Sequence, residues 1–196
     1  MRVLMSVYDK TGIVEFATFL QEEMKAEILS TGGTLDTLKK AGLEVTAVEE
    51  YTGFPEMMEG RVKTLHPRIH GGILALREKE EHMEQALRHN IEMIDMVIVN
   101  LYPFQEVVAR GADFAEVIEN IDIGGPSMLR SAAKNHQHVA VVSDPSWYPR
   151  VMEELKVNKG EISEETRKEL AAETFWKTAN YDVAIGTYLT EGQKIG

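Results

Sequence analysis

Residues 60–72 read GRVKTLHPRIHGG and place Arg61, Lys63 and Arg68 beside His66 and His70, in a chain whose formal net charge is −11. Cations gathered inside an acidic chain suit a compact anion or an oxygen that gains negative charge during a reaction. Other segments offer the same chemistry. SVYDKTG supplies Ser6 and Lys10, STGGT supplies the hydroxyls of Ser30, Thr31 and Thr34 around Gly32 and Gly33, and NLYPF carries Tyr102. IDIGGPSMLRSAAKN opens a helix at Gly124 and Gly125 and sets Arg130 and Lys134 four residues apart on one face. Two cations at that spacing repel each other unless an anion or acidic partner faces them, although a solvated helix face would also accommodate them. His66 and His70 have the spacing of half a zinc site, but Pro67 argues against one continuous helix through both, and no HExxH pattern is present. No metal site is expected.

These groups need a frame that brings them together, and the hydropathy pattern supplies one. Short apolar runs at 2–7, 27–30, 44–48, 93–100 and 139–142 read as strands. They alternate with helical spacing at 12–24 and 35–41, which is the pattern of a parallel α/β sheet covered on both faces. In such a sheet ligands bind beyond the carboxyl ends of the strands, and the polar glycine-containing stretches fall at those ends. Residues 51–72 interrupt the alternation and read as one long functional loop. Beyond Asp144 the pattern is helical, over 147–156 and from 164 to about 189. The terminal EGQKIG shows no structural close, so the chain reads either as a small complete protein or as the first part of a larger one.

Bulk composition narrows the classes. The 196 residues are 43% hydrophobic and 27% charged, values of a globular chain and enough for one sizeable domain. Zero cysteines exclude disulfides, thiolate nucleophiles and Cys-ligated metals. No apolar run approaches the roughly 20 residues of a bilayer span, and the N-terminus lacks a signal-peptide pattern. The expected location is the cytoplasm. The acidic balance argues against nucleic acid as a partner.

TGFPEMMEGRVKTLHPRIHGGIL, NLYPF and DIGGPSMLRSAAKNH, preceded in order by SVYDKTG and STGGT, closely resemble the IMP cyclohydrolase domain of the bifunctional purine-biosynthesis enzymes that also carry AICAR formyltransferase. The resemblance runs from about Arg2 into the terminal helices. It implies a methylglyoxal-synthase-like three-layer α/β fold with a mainly parallel central sheet, 1–145 as the catalytic domain and 146–196 as a helical extension packed on it. The larger formyltransferase region is not within these residues. Tyr8 stands where the family pattern leads us to expect a serine, which removes one hydroxyl contact.

The implied reaction is cyclisation of FAICAR to IMP with loss of water, without cofactor or metal, in a possible homodimer away from membranes. By carry-over, Lys63, Tyr102, Asp122 and Lys134 form the catalytic set, Lys63 at the formyl oxygen and Lys134 near the same centre. The substrate contacts implied are Ser6, Tyr8, Asp9 and Lys10, then Thr31, Gly32, Gly33 and Thr34 for the phosphate. Arg61, Val62 and Thr64 follow from the long loop, with Asn100, Ile123, Gly124 and Gly125 on the base side. Arg68, His66 and His70 would support the loop. A non-catalytic nucleotide- or phosphate-sensing domain of the same fold is the alternative, and a methylglyoxal synthase a further one.

Overall fold

The segment RVLMS, polar at its two ends and fully buried at its centre, forms the middle strand β1 (Arg2–Ser6) in the computed structural model, which describes residues 1–190. Four more strands, β2 (Glu27–Ser30), β3 (Val45–Ala47), β4 (Met96–Val99) and β5 (Ala140–Val142), complete a sheet of order β3-β2-β1-β4-β5. Every pairing is parallel. β4 and β5 are buried along their whole length, as strands covered on both faces must be. Each observed strand lies within the sequence expectation and most are trimmed at the ends, where polar residues leave the ladder for the turns.

Ten helices accompany the strands among the described residues: α1 (Ile13–Glu22), α2 (Gly32–Lys40), α3 (Val48–Thr52), α4 (Pro67–Leu74), α5 (Glu80–Arg88), α6 (Phe104–Ala109), α7 (Phe114–Glu119), α8 (Gly124–Lys134), α9 (Tyr148–Val157) and α10 (Glu164–Thr190). The expected long loop at 51–72 is corrected: α3 ends at Thr52, a short hairpin follows, and α4 starts at Pro67. The glycines of HGG are helical there because of close packing. A Cβ on Gly72 would stand 2.5 Å from the Glu92 carbonyl oxygen. Residues 191–196, EGQKIG, lie outside the described residues.

The large core joins the sheet to α1, α8, α9 and the first half of α10 through residues such as Phe16, Leu129, Leu155 and Leu170. A second, smaller core gathers Phe104 of α6, Val117 of α7 and Tyr181 of α10. Phe104 meets Tyr181 and Tyr188 edge-on, with ring centroids 6.1 and 5.8 Å apart. Burying a phenylalanine contributes about 1.5–3 kcal/mol, enough to fix α6 and α7 on α10. The last helix therefore spans both cores.

α10 is also tied to the end of β5 by charge. Lys177 Nζ binds Asp144, the Ser143 carbonyl oxygen (3.1 Å) and Glu173 (3.2 Å). Partial burial opposes ionisation of Asp144, but hydrogen bonds from Lys177 and Ser146 outweigh it and hold the carboxyl at about 2, below its ordinary 3.8. The stability this contributes is complete above pH 3.8 and is lost as the pH falls through about 2. Lys177→Met should lower stability at neutral pH by about 0.5–1 kcal/mol, the pair being partly exposed. Thermal melts from pH 7 to 2 should show the gap between variant and wild type closing at the acid end; a gap independent of pH would reject the linkage.

Candidate active site

In the order β3-β2-β1-β4-β5 the chain's direction of winding reverses between β1 and β4, and the crevice beyond their carboxyl ends is where an open α/β sheet binds ligands. Asn100, just past β4, closes this point. Its Oδ1 accepts the N–H groups of Tyr8 (2.7 Å) and Asp9 (3.0 Å), and its Nδ2 donates to the Asp9 carbonyl oxygen (2.9 Å). With its amide committed to these bonds, Asn100 holds the β1–α1 turn. Asp9 turns back to Thr11, whose hydroxyl and N–H hold its carboxyl below the usual range. The rings of Tyr8 and Tyr102 meet edge-on at 5.3 Å, both about half exposed.

Beyond β2 the chain enters α2 at Gly32 and Gly33. Lys63 Nζ lies 3.8 Å from the point where a Cβ on Gly32 would stand, and Lys10 Nζ lies 3.8 Å from the equivalent point on Gly33. Two ammonium groups thus flank the positive end of a nine-residue helix. The Thr31 hydroxyl beside them is buried and has no partner among the described residues. Thr34 differs: its hydroxyl accepts the Val7 N–H and donates to the Val7 carbonyl oxygen, so it braces the neighbouring turn. Ser6, half-buried, ends β1 on the same side.

Lys63 leaves a hairpin in which Met57 and Val62 pair across the turn. Met58, Glu59 and Gly60 all have positive φ, at 55°, 56° and 92°. Two non-glycine residues in that region cost on the order of 1–3 kcal/mol each. Arg61 points outward into an ion pair with Glu119, exposed on both sides. Thr64 is buried against the start of α8, where a Cβ on Gly124 would fall 2.5 Å from its Oγ1. Only glycine lets the hairpin and α8 approach so closely.

Asp122 precedes α8, and its Oδ1 accepts the Gly125 N–H (2.9 Å). Burial pushes its carboxyl above the ordinary value, and the Gly125 N–H and the Lys63 charge offset this only in part. The Asp122 N–H donates to the Tyr181 hydroxyl at 2.8 Å. Ile123 is exposed beside it. A cavity of about 910 Å³ lies on the Tyr181 side of this cluster, lined by Tyr8, Lys10, Asn100, Tyr102, Lys177 and Tyr181 among others, with neither Lys63 nor Asp122 on its wall.

Lys63, Asp122, Thr64, Gly124, Gly125 and the Gly32–Gly33 turn are thus brought together, with Tyr102 and Lys10 on the cavity wall. Lys134 is not. It ends α8, ten residues and roughly 15 Å along the helix axis from Gly124. Within one chain the eleven-residue α8 separates Lys134 from the DIGG end of the motif. Arg130 caps the Phe175 ring at 5.5 Å. His66 Nδ1 accepts the Arg68 N–H at the start of α4, and His70 Nδ1 lies 3.1 Å from the Ser131 hydroxyl. Arg68 lies over the Tyr51 ring and donates to the carbonyl oxygens of Tyr51 and Asn90. Among the described residues no three His, Asp or Glu side chains gather as a metal site, and no helix is long and apolar enough to cross a membrane.

Sequence reasoning missed Lys177 and Tyr181, both from α10. A signal existed for the second: Tyr181, Ala184, Ile185 and Tyr188 repeat at helical spacing and mark a face beyond the main core.

The MGS-like domain family matches residues 12–127, and the family of the AICARFT/IMPCHase bienzyme matches 132–195. The bifunctional purine biosynthesis protein PurH of Halalkalibacterium halodurans is 56% identical over 191 residues, and that of Bacillus thuringiensis subsp. konkukian is 57% identical over the same length. Each alignment covers 97% of this chain and 37% of the relative, so the chain spans little more than a third of their length. The crystal structure of ForH superposes with a TM-score of 0.80 at 35% identity, over 95% of this chain and 96% of that one. The chain belongs to the MGS-like domain family, as a homologue of the N-terminal, IMP cyclohydrolase part of the PurH proteins.

Proposed function

We propose that this chain is an IMP cyclohydrolase, closing the six-membered purine ring of FAICAR to give IMP and water. The observation that carries the reading is the meeting of Lys63 and Asp122 beside a helix N-terminus flanked by Lys10. One end of that cluster suits a phosphate, the other a proton transfer.

The nucleotide phosphate would lie at the start of α2, taking the N–H groups of Gly32 and Gly33, the unpartnered Thr31 hydroxyl and the Lys10 ammonium. Nucleophile and electrophile belong to one molecule, so holding a near-attack conformer supplies much of the acceleration. The carboxamide nitrogen attacks the formyl carbon and loses one proton; the formyl oxygen takes up charge and is protonated, then leaves as water with a second proton while the formamido nitrogen gives up its own and forms the C=N bond. Asp122 is assigned as the base, its carboxyl made more basic by burial. Lys63 is assigned to the formyl oxygen, which it stabilises and protonates. Tyr102 orients the base from the cavity wall. The ring closure is neither a reduction nor an oxidation, and the reading assigns no cofactor or metal a role.

The remaining parts of the reading follow from it. Residues 1–145 form the catalytic unit and the described part of 146–196, up to 190, a helical extension packed on it, in a homodimeric, cytoplasmic enzyme that engages neither nucleic acid nor membrane. Arg61 would exchange Glu119 for the nucleotide on binding.

The test is to mix the protein with FAICAR in a chelator, follow absorbance and identify IMP as product. Metal-independent IMP formation supports the reading. Tight IMP binding without turnover would instead favour a nucleotide-sensing domain. Lys10→Ala should weaken IMP binding about 10- to 100-fold by calorimetry, the loss of one charge-assisted hydrogen bond, and unchanged affinity would move the phosphate elsewhere.

A further inference from the structure

Tyr181 joins two loops that the ring-closing reading uses, although it lies 59 residues beyond Asp122. The Asp122 N–H precedes the first turn of α8 and has no partner within that helix. The Tyr181 hydroxyl accepts it at 2.8 Å and lies 3.4 Å from the Asn120 carbonyl oxygen, so one phenol brackets the backbone on both sides of Ile121. Its ring packs edge-on against Phe104, two residues after Tyr102. The side chain is 9% exposed and still contributes to the cavity wall. A tyrosine serving only the small core would need no such bonds. Tyr188, one heptad on, packs on the same Phe104 and on Phe114 but, among the described residues, makes no hydrogen bond to the backbone around Asp122.

We propose that Tyr181 is a positioning residue of the site, setting the Asp122 carboxyl against Lys63 through the Asp122 backbone and bracing the Tyr102 loop through Phe104. This rests on the cyclohydrolase reading for its catalytic consequence, and on the hydrogen bonds alone for its structural one. The charged and titratable groups around the pair are Lys63 and Asp122 on one side and Tyr102 and Asp182 on the other.

Tyr181→Phe keeps the ring and removes only the hydroxyl. A misplacement on the order of 1 Å costs about 100-fold, so turnover should fall about 10- to 100-fold with KM changed less than about threefold. Water reaching the loosened loop should bring the Asp122 carboxyl down toward its ordinary range. The acid limb of kcat should follow it to lower pH. The carboxyl is read directly by carbon-13 NMR titration of the ligand-free protein, with Asp122→Asn identifying the signal and Tyr188→Phe as the packing control. A shifted Asp122 titration in Tyr181→Phe, absent from Tyr188→Phe, supports the assignment. An unmoved titration overturns it, whether or not turnover falls, because a loss without it is a packing effect. Should the wild-type protein make no IMP, the cyclohydrolase reading fails while the titration still decides the role of Tyr181.

Discussion

Lys63→Ala should yield a folded protein that converts FAICAR to IMP about 100- to 1,000-fold more slowly, the usual loss when one donor to a developing oxyanion is removed. The fold should survive because Lys63 is part-exposed and its one carboxylate neighbour within 4 Å among the described residues is Glu56 at 3.9 Å, a weak surface pair. The loss should appear in kcat more than in KM, since the ammonium is needed most when the formyl oxygen carries charge. Lys63→Arg should recover little: a guanidinium spreads its charge over a plane and does not give up a proton, so it replaces neither the ammonium's point charge nor its acid role. Single-turnover rates compared with those of Lys10→Ala separate the two lysines' roles. A folded Lys63→Ala enzyme with full turnover would remove Lys63 from the chemistry.

Asp122→Asn tests the other half of the proton path. The amide oxygen can still accept the Gly125 N–H, so the start of α8 is kept, while the base is lost. Turnover should drop about 100- to 10,000-fold, the range for removing a positioned acid or base. The pH profile gives a sharper reading. Burial raises the Asp122 carboxyl above 3.8, so its basic form, and with it the rate, is lost as the pH falls through that raised value. The wild-type acid limb should therefore lie above the carboxyl's ordinary 3.8, and Asp122→Asn should lack it. Retention of the same limb in the variant would assign it to another group.

The sheet was legible in the sequence because its strands are short, nearly continuous apolar runs between glycine-containing polar turns. STGGT and DIGGP announced the helix starts by the same logic: glycines for close approach and small polar residues at the turn. Residues 51–72 misled because proline and glycine usually break structure. Here Pro67 opens α4 at its first position, and Gly72 lies within α4 to let the Glu92 backbone come near. The place of Lys134 was illegible for another reason. A motif is contiguous on paper, whereas a helix carries its ends apart at about 1.5 Å per residue, and α8 sends Asp122 and Lys134 to opposite ends. Asn100 and Thr34 were read as ligand contacts, and their side chains prove to be committed to backbone groups of the β1–α1 turn. Tyr181 carried no local motif at all; only its place in the apolar repeat of α10 pointed inward.

The spanning of both cores by α10 has a consequence for the order of events at the ribosome. Four of the five strands and the whole Lys63 hairpin leave the exit tunnel before β5, and the hydroxyl that holds Asp122 follows Asp122 by 59 residues. At ribosomal rates that interval is roughly 3 to 12 s. During it the chain has its phosphate loop but an unbraced DIGG segment, with the Phe104 face of α6 uncovered. A nascent chain arrested shortly before Tyr181 should therefore hold an anion and close no ring, and release of the last helix should bring catalysis on in a single step.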